Sequence, residues 1–167
     1  NFEVFQSPNY SVLAQAGVKI KYKKQYINTT SKLDLNVHLN ISDDVSILKL
    51  FPSIKKETVS AILNSSSGII LETFGSGNAT TQDWFIEELN RAIQNKKTIV
   101  NISQCLSGSV NQGHYQTSKL LKKVGVISGH DMTTEAALTK LMFLQGLKLN
   151  HSDIKQKIEA NLRGEIS

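Results

Sequence analysis

A chain of 167 residues, 40% hydrophobic and 20% charged, has room for one main domain with a substantial core. Its net charge of +5 rests on 19 basic residues of which only Arg91 and Arg163 are arginines, so the forked donors that read bases and phosphates are scarce and nucleic acid is disfavoured as a partner. No apolar run approaches the roughly 20 residues needed to span a bilayer, and Asn1 to Tyr10 holds no basic and then apolar leader, so the reading is a non-membrane chain that starts as mid-protein sequence.

In chain order, "SPNYSVLAQAG" fits a short helix, and "VKIKYKKQYI" and "KLDLNVHLN" fit a two-stranded hairpin across the turn-rich "NTTS". Residues 1–45 are therefore expected to be an interdomain connection with edge strands, and 46–167 an α/β domain. Beyond them, four short apolar runs bounded by turn residues predict strands: "SILKLF" near 46–51, "GIILETF" near 68–74, "TIVNIS" near 98–103 and "VGVISG" near 124–129.

Helical spacing fills the gaps. Ile54, Thr58 and Ile62 follow a Pro52-Ser53 start signal, and Phe85, Leu89, Ala92 and Ile93 keep the i, i+4, i+7, i+8 pattern. Further helices are expected over Tyr115 to Lys122, after an Asp131 N-cap with Ala137, Leu138, Leu141, Met142 and Leu144 inward, and finally along Ile154, Ile158 and Leu162. Strands alternating with helices imply βαβ units, hence a small parallel sheet of flavodoxin-like or Rossmann-like type covered by helices on both faces. Such sheets bind ligands beyond the carboxyl ends of their strands, which singles out the loops after Phe74, Ser103 and Ser128.

The first of these loops reads "FGSGN". It has neither the third glycine of a dinucleotide fingerprint nor the Gly-Lys-Ser/Thr ending of a P-loop. Two readings of Asn78 fit: a turn residue bonded to its own backbone, with Thr80 or Thr81 capping the next helix, or a side-chain amide that fixes a polar substrate. In "SQCLSGSVNQGHY", the lone Cys105 has no His or acidic partner assignable by sequence and reads as a packed thiol, and Tyr115 either enters a site or begins the next helix. His130 and Asp131 are adjacent in sequence, which does not make them a dyad. The four histidines show no metal-ligand spacing, and Asn-x-Ser/Thr triplets, among them those at Asn28, Asn40, Asn64, Asn78, Asn101 and Asn150, reflect a composition rich in Asn, Ser and Thr. One cysteine excludes an internal disulfide and is compatible with a reducing compartment.

Three stretches, "ILETFGSGNATTQDWFIEELNRA", "IVNISQCLSGSVNQGHY" and "GVISGHDMTTEAALTKLMFL", together resemble the C-terminal domain of type I (cytoplasmic-type) L-asparaginases. "FQSPNYSVLAQAGVKI" resembles the segment joining that family's two domains, and "NLRGEIS" the end of its catalytic core. The resemblance implies hydrolysis of L-asparagine to L-aspartate and ammonia through a threonine acyl-enzyme, without metal or organic cofactor, in a cytoplasmic homo-oligomer, dimer or tetramer. It also implies that the nucleophile lies on an N-terminal domain in a Thr-Gly-Gly-Thr motif. Neither "TGGT" nor an "HGTDT"-like string occurs here, so no catalytic residue is assigned and the chain alone is expected to be inactive.

By the same resemblance, Asn78 enters the active site of a neighbouring subunit and positions substrate, with Gly77, Ser76 and, more weakly, Tyr115 beside it. Some members carry a second, regulatory asparagine site. Glu72 stands where those members place an arginine, so Glu72, Ser103 and Cys105 form at most a degenerate effector site. The competing reading is a stand-alone module that binds an amino acid without catalysis.

Overall fold

A computed structural model describes residues 7–27, 36–111, 113 and 116–167. Strands β3 (Val45–Lys49), β4 (Gly68–Thr73), β5 (Thr98–Ser103) and β6 (Ile127–Ser128) form a parallel sheet in the order β3-β4-β5-β6. The register pairs Ile47 with Ile70, Ile70 with Val100, and Val100 with Ile127. Helices α1 (Lys56–Ser65), α2 (Asp83–Gln94) and α3 (Gln116–Val124) lie on one face, and α4 (Thr134–Gly146) and α5 (His151–Glu159) on the other.

Strand alternation divides the core accordingly. Ile69, Leu71 and Ile99 pack with Leu63, Phe85, Leu89 and Leu121, while Ile70, Val100 and Ile102 pack with Ala137, Leu141, Leu144 and Ile158. All six residues of β4 and of β5 are buried, as expected for central parallel strands covered on both sides. Burying each large side chain contributes about 1.5–3 kcal/mol.

Several expectations need correction. Thr58 is exposed, and the buried stripe of α1 is Val59 and Leu63, because the helix begins at Lys56 after Ser53 turns at φ 67. Strand β6 is only two residues long, since α3 runs on to Val124 and Gly125 ends it at φ 102. The cap of α4 is Thr133, whose hydroxyl accepts from Ala136 N at 3.2 Å, and not Asp131, which instead accepts from Ser167. Replacing Thr133 by alanine is expected to lower the unfolding free energy by about 1 kcal/mol, read from the urea midpoint. Leu162 lies beyond the end of α5 in the turn that follows.

The N-terminal segment also departs from its pattern. Lys21–Tyr22 (β2) pairs antiparallel with Ala14–Gln15 (β1), within the stretch expected to be helical. Val12 and Leu13 are exposed there, so a helix would have had no face to bury. The second expected hairpin strand falls partly on 32–35, outside the described residues, and 36–41 is not a strand. It is held along α4 instead: His38 stands edge-on to Phe143 at 5.5 Å, and Ser42 N donates to Met142 O at 3.0 Å.

Candidate functional site

The loop after β4 is a closed turn. Phe74 N donates to Asn78 O and Asn78 N to Phe74 O, both at 2.8 Å, and Gly77 N adds a bond to Phe74 O at 3.1 Å. Gly75 and Gly77 take φ of 51° and 98°, in the left-handed region that favours glycine. Gly77 is also a close-approach point: a Cβ there would stand 2.8 Å from Val110 Cγ1 and 3.3 Å from Asn101 Nδ2. Ser76, Gly77 and Asn78 are thus brought together at the carboxyl edge of the sheet, where this fold class places ligands.

Asn78 is half-buried and oriented from two sides. Its Oδ1 accepts from Thr117 Oγ1 at 2.9 Å, and its Nδ2 lies 3.4 Å from Ser76 Oγ. Thr117, in the first turn of α3, had no signal beyond an ordinary helix start. Thr80 does not cap α2 with its side chain; its Oγ1 accepts from Gln82 N at 3.3 Å in the turn before the helix. Tyr115 lies outside the described residues.

Glu72, Ser103 and Cys105 are not brought together as a set. Glu72 shares the α4 face of β4 with Ile70: its carboxylate accepts from Thr134 Oγ1 at 2.5 Å and pairs with Lys49 at 3.4 Å. Ser103 shares the opposite face with Ile99, and its hydroxyl donates to Gly75 O at 2.5 Å while accepting from Cys105 N at 3.0 Å. The Cys105 side chain belongs to an exposed residue, not a packed thiol. Asp131 is engaged by Ser167, and His130 sits at φ 53 in the turn before α4.

An open cavity of about 520 Å³ lies elsewhere, between α4 and the C-terminal turn, walled by His38, Phe143, Leu162 and the Lys140–Glu165 pair. Among the described residues, no three His, Cys, Asp or Glu side chains are arranged to hold a metal ion, and no helix is long and apolar enough to cross a membrane.

Residues 44–157 match the family model of the glutaminase/asparaginase C-terminal domain. The chain belongs to this family. It is 35% identical to L-asparaginase 1 of Escherichia coli (strain K12) across 99% of its own length and 49% of that protein's. It is 37% identical to the human 60 kDa lysophospholipase, covering 99% of this chain and 29% of that one. Among solved structures, L-asparaginase I of Vibrio cholerae superposes with a TM-score of 0.91 at 34% identity, over 98% of this chain and 50% of the other. The chain therefore spans about half the length, or less, of the curated relatives it matches, and it corresponds to the C-terminal domain of L-asparaginases.

Proposed function

We propose that this domain completes the active site of an L-asparaginase, an amidohydrolase that converts L-asparagine and water to L-aspartate and ammonia. A threonine on an N-terminal domain attacks the side-chain amide carbon, ammonia leaves, and water hydrolyses the resulting ester. This chain supplies Asn78, with Ser76 and Gly77, to the site of a neighbouring protomer in a cytoplasmic dimer or tetramer. No metal or organic cofactor takes part. The observation that carries the reading is the closed Gly75-Ser76-Gly77-Asn78 turn, which holds a polar side chain at the sheet's carboxyl edge with its Oδ1 fixed by Thr117.

Asn78 acts here by positioning and has no role in bond breaking, since a neutral amide offers donors and an acceptor but no usable proton-transfer group. The effector site is proposed to be degenerate. The Glu72 carboxylate would repel an effector's carboxylate, and it is already engaged by Lys49 and Thr134.

Ammonia release from L-asparagine tests this directly. The chain alone is expected to be silent, and mixing it with an N-terminal domain bearing the two threonine motifs is expected to restore hydrolysis. Silence from a mixture in which both parts are folded and bound would instead favour an amino-acid-binding module.

A further inference from the structure

The strongest unexplained feature beneath the loop is a polar side chain in the middle of a buried strand, flanked by the apolar Ile99, Val100 and Ile102. Asn101 is fully buried in β5, on the same face as Ile99 and beside Leu71 in the sheet register. An amide left without partners there would be strongly destabilising. Its partners are specific. Thr73 Oγ1 donates to Asn101 Oδ1 at 2.6 Å, which turns the Nδ2 group toward Gly77 O at 3.4 Å.

Two residues on, Ser103 repeats the arrangement. Its Oγ donates to Gly75 O at 2.5 Å. Residues i and i+2 of a strand face the same side roughly 6.6 Å apart, so β5 presents two donors in a row beneath a loop whose two glycine carbonyls are also two residues apart. The loop's own bonds close its ring; these two tie the ring to the rigid sheet.

We propose that Asn101, oriented by Thr73, and Ser103 are positioning residues that set the placement of Asn78 for substrate. The proposal rests on the reading of Asn78 as a substrate contact. Neither Asn101 nor Ser103 touches substrate; each acts through a glycine carbonyl. The assignment also explains the asparagine in "TIVNIS", which the strand pattern alone leaves as an anomaly.

The variants are Thr73→Val, which removes the hydroxyl that orients Asn101 while keeping side-chain volume, Thr73→Ser, which restores it, and Ser103→Ala. Amide hydrogen exchange on the full chain compares Gly77 and Asn78 with core amides of Ile70 and Val100. Exchange at the loop is expected to accelerate by about 10-fold relative to the core in Thr73→Val and Ser103→Ala, and to return in Thr73→Ser. In the complex with the nucleophile-bearing domain, the same two variants are expected to raise KM for L-asparagine about 5-fold with a smaller change in kcat, Asn78→Ala being run beside them.

Unchanged loop exchange relative to the core would overturn the positioning role, whatever Asn78 does. A loosened loop with unchanged KM would overturn it too, and the control then says why: if Asn78→Ala raises KM, the brace is dispensable, whereas if Asn78→Ala is also silent, the substrate-contact reading itself falls.

Discussion

Replacing Lys140 by methionine lowers the unfolding free energy by about 3 kcal/mol, a loss at the low end of what breaking a buried ion pair costs. Lys140 projects from α4 with its side chain only 5% exposed, and its partner Glu165 is 13% exposed. The ammonium donates to Glu165 Oε1 at 2.6 Å, to Ile158 O at 2.9 Å and to Ala160 O at 2.6 Å. It therefore caps the carboxyl end of α5 and ties the C-terminal turn to α4. Methionine fills the volume but leaves two carbonyls without this donor and the carboxylate without its cation, held only by the backbone N–H groups of Leu162 and Arg163.

The same pair predicts an acid limb. Burial pushes the Glu165 carboxyl up, but the bonds from Lys140 and from the backbone N–H groups of Leu162 and Arg163 outweigh it and hold it at about 2, below the ordinary 4.5. Burial lowers Lys140 from its ordinary 10.5, against the bond and charge of Glu165. A carboxyl with a depressed folded value contributes stability that is present above about 4.5 and is lost as the pH falls toward 2. Urea midpoints measured at pH 6, 4 and 3 should fall more steeply for the wild-type chain than for Glu165→Gln, which is weaker at pH 6 but no longer titrates at this position. Parallel pH profiles would show that the pair contributes nothing through its charge.

Gly77→Ala is expected to cost about 2 kcal/mol, and Gly75→Ala only about 1 kcal/mol. Both glycines have positive φ, so both substitutions strain the backbone. They differ in space. A Cβ at Gly75 meets nothing within 4 Å, whereas one at Gly77 presses on Val110 and on the Asn101 amide. Urea midpoints of the two variants separate the conformational cost, which both carry, from the packing cost, which only Gly77 carries. Equal losses would mean that the approach of β5 and Val110 to the loop is readily relieved. In the complex with the nucleophile-bearing domain, Gly77→Ala should also raise KM for L-asparagine more than Gly75→Ala does, because it pushes on the residue that holds Asn78 in place.

Much of the architecture was legible without coordinates. The four apolar runs became the four parallel strands, and Phe85, Leu89 and Ala92 became the buried stripe of α2. These signals are local and periodic: a strand buried on both faces must be apolar throughout, and a helix on its surface must be apolar along one stripe. The motif wording around "FGSGN" likewise marked the loop that carries the candidate site, and the family match agrees with the resemblance drawn from it.

What escaped the sequence were bonds between residues far apart in the chain. Thr117 meets Asn78 across 39 positions, Thr73 meets Asn101 across 28, and Glu72 meets Thr134 across 62. None has a periodic signature, because a single hydrogen bond depends on where two distant segments meet and not on spacing within either. The hairpin was misplaced for a related reason: Lys21–Tyr22 pairs with Ala14–Gln15, while His38 and Ser42 lie against α4, and neither contact has a signature in the local sequence. Lys140 carries no local sign of burial; it is buried where the end of α5 and the C-terminal turn bring Ile158 O, Ala160 O and Glu165 to its ammonium. The sequence by itself determined the layers, the strand runs and the loop to inspect. Only the tertiary structure decided which polar groups meet there, since burial and pairing are properties of the packed chain and not of any segment.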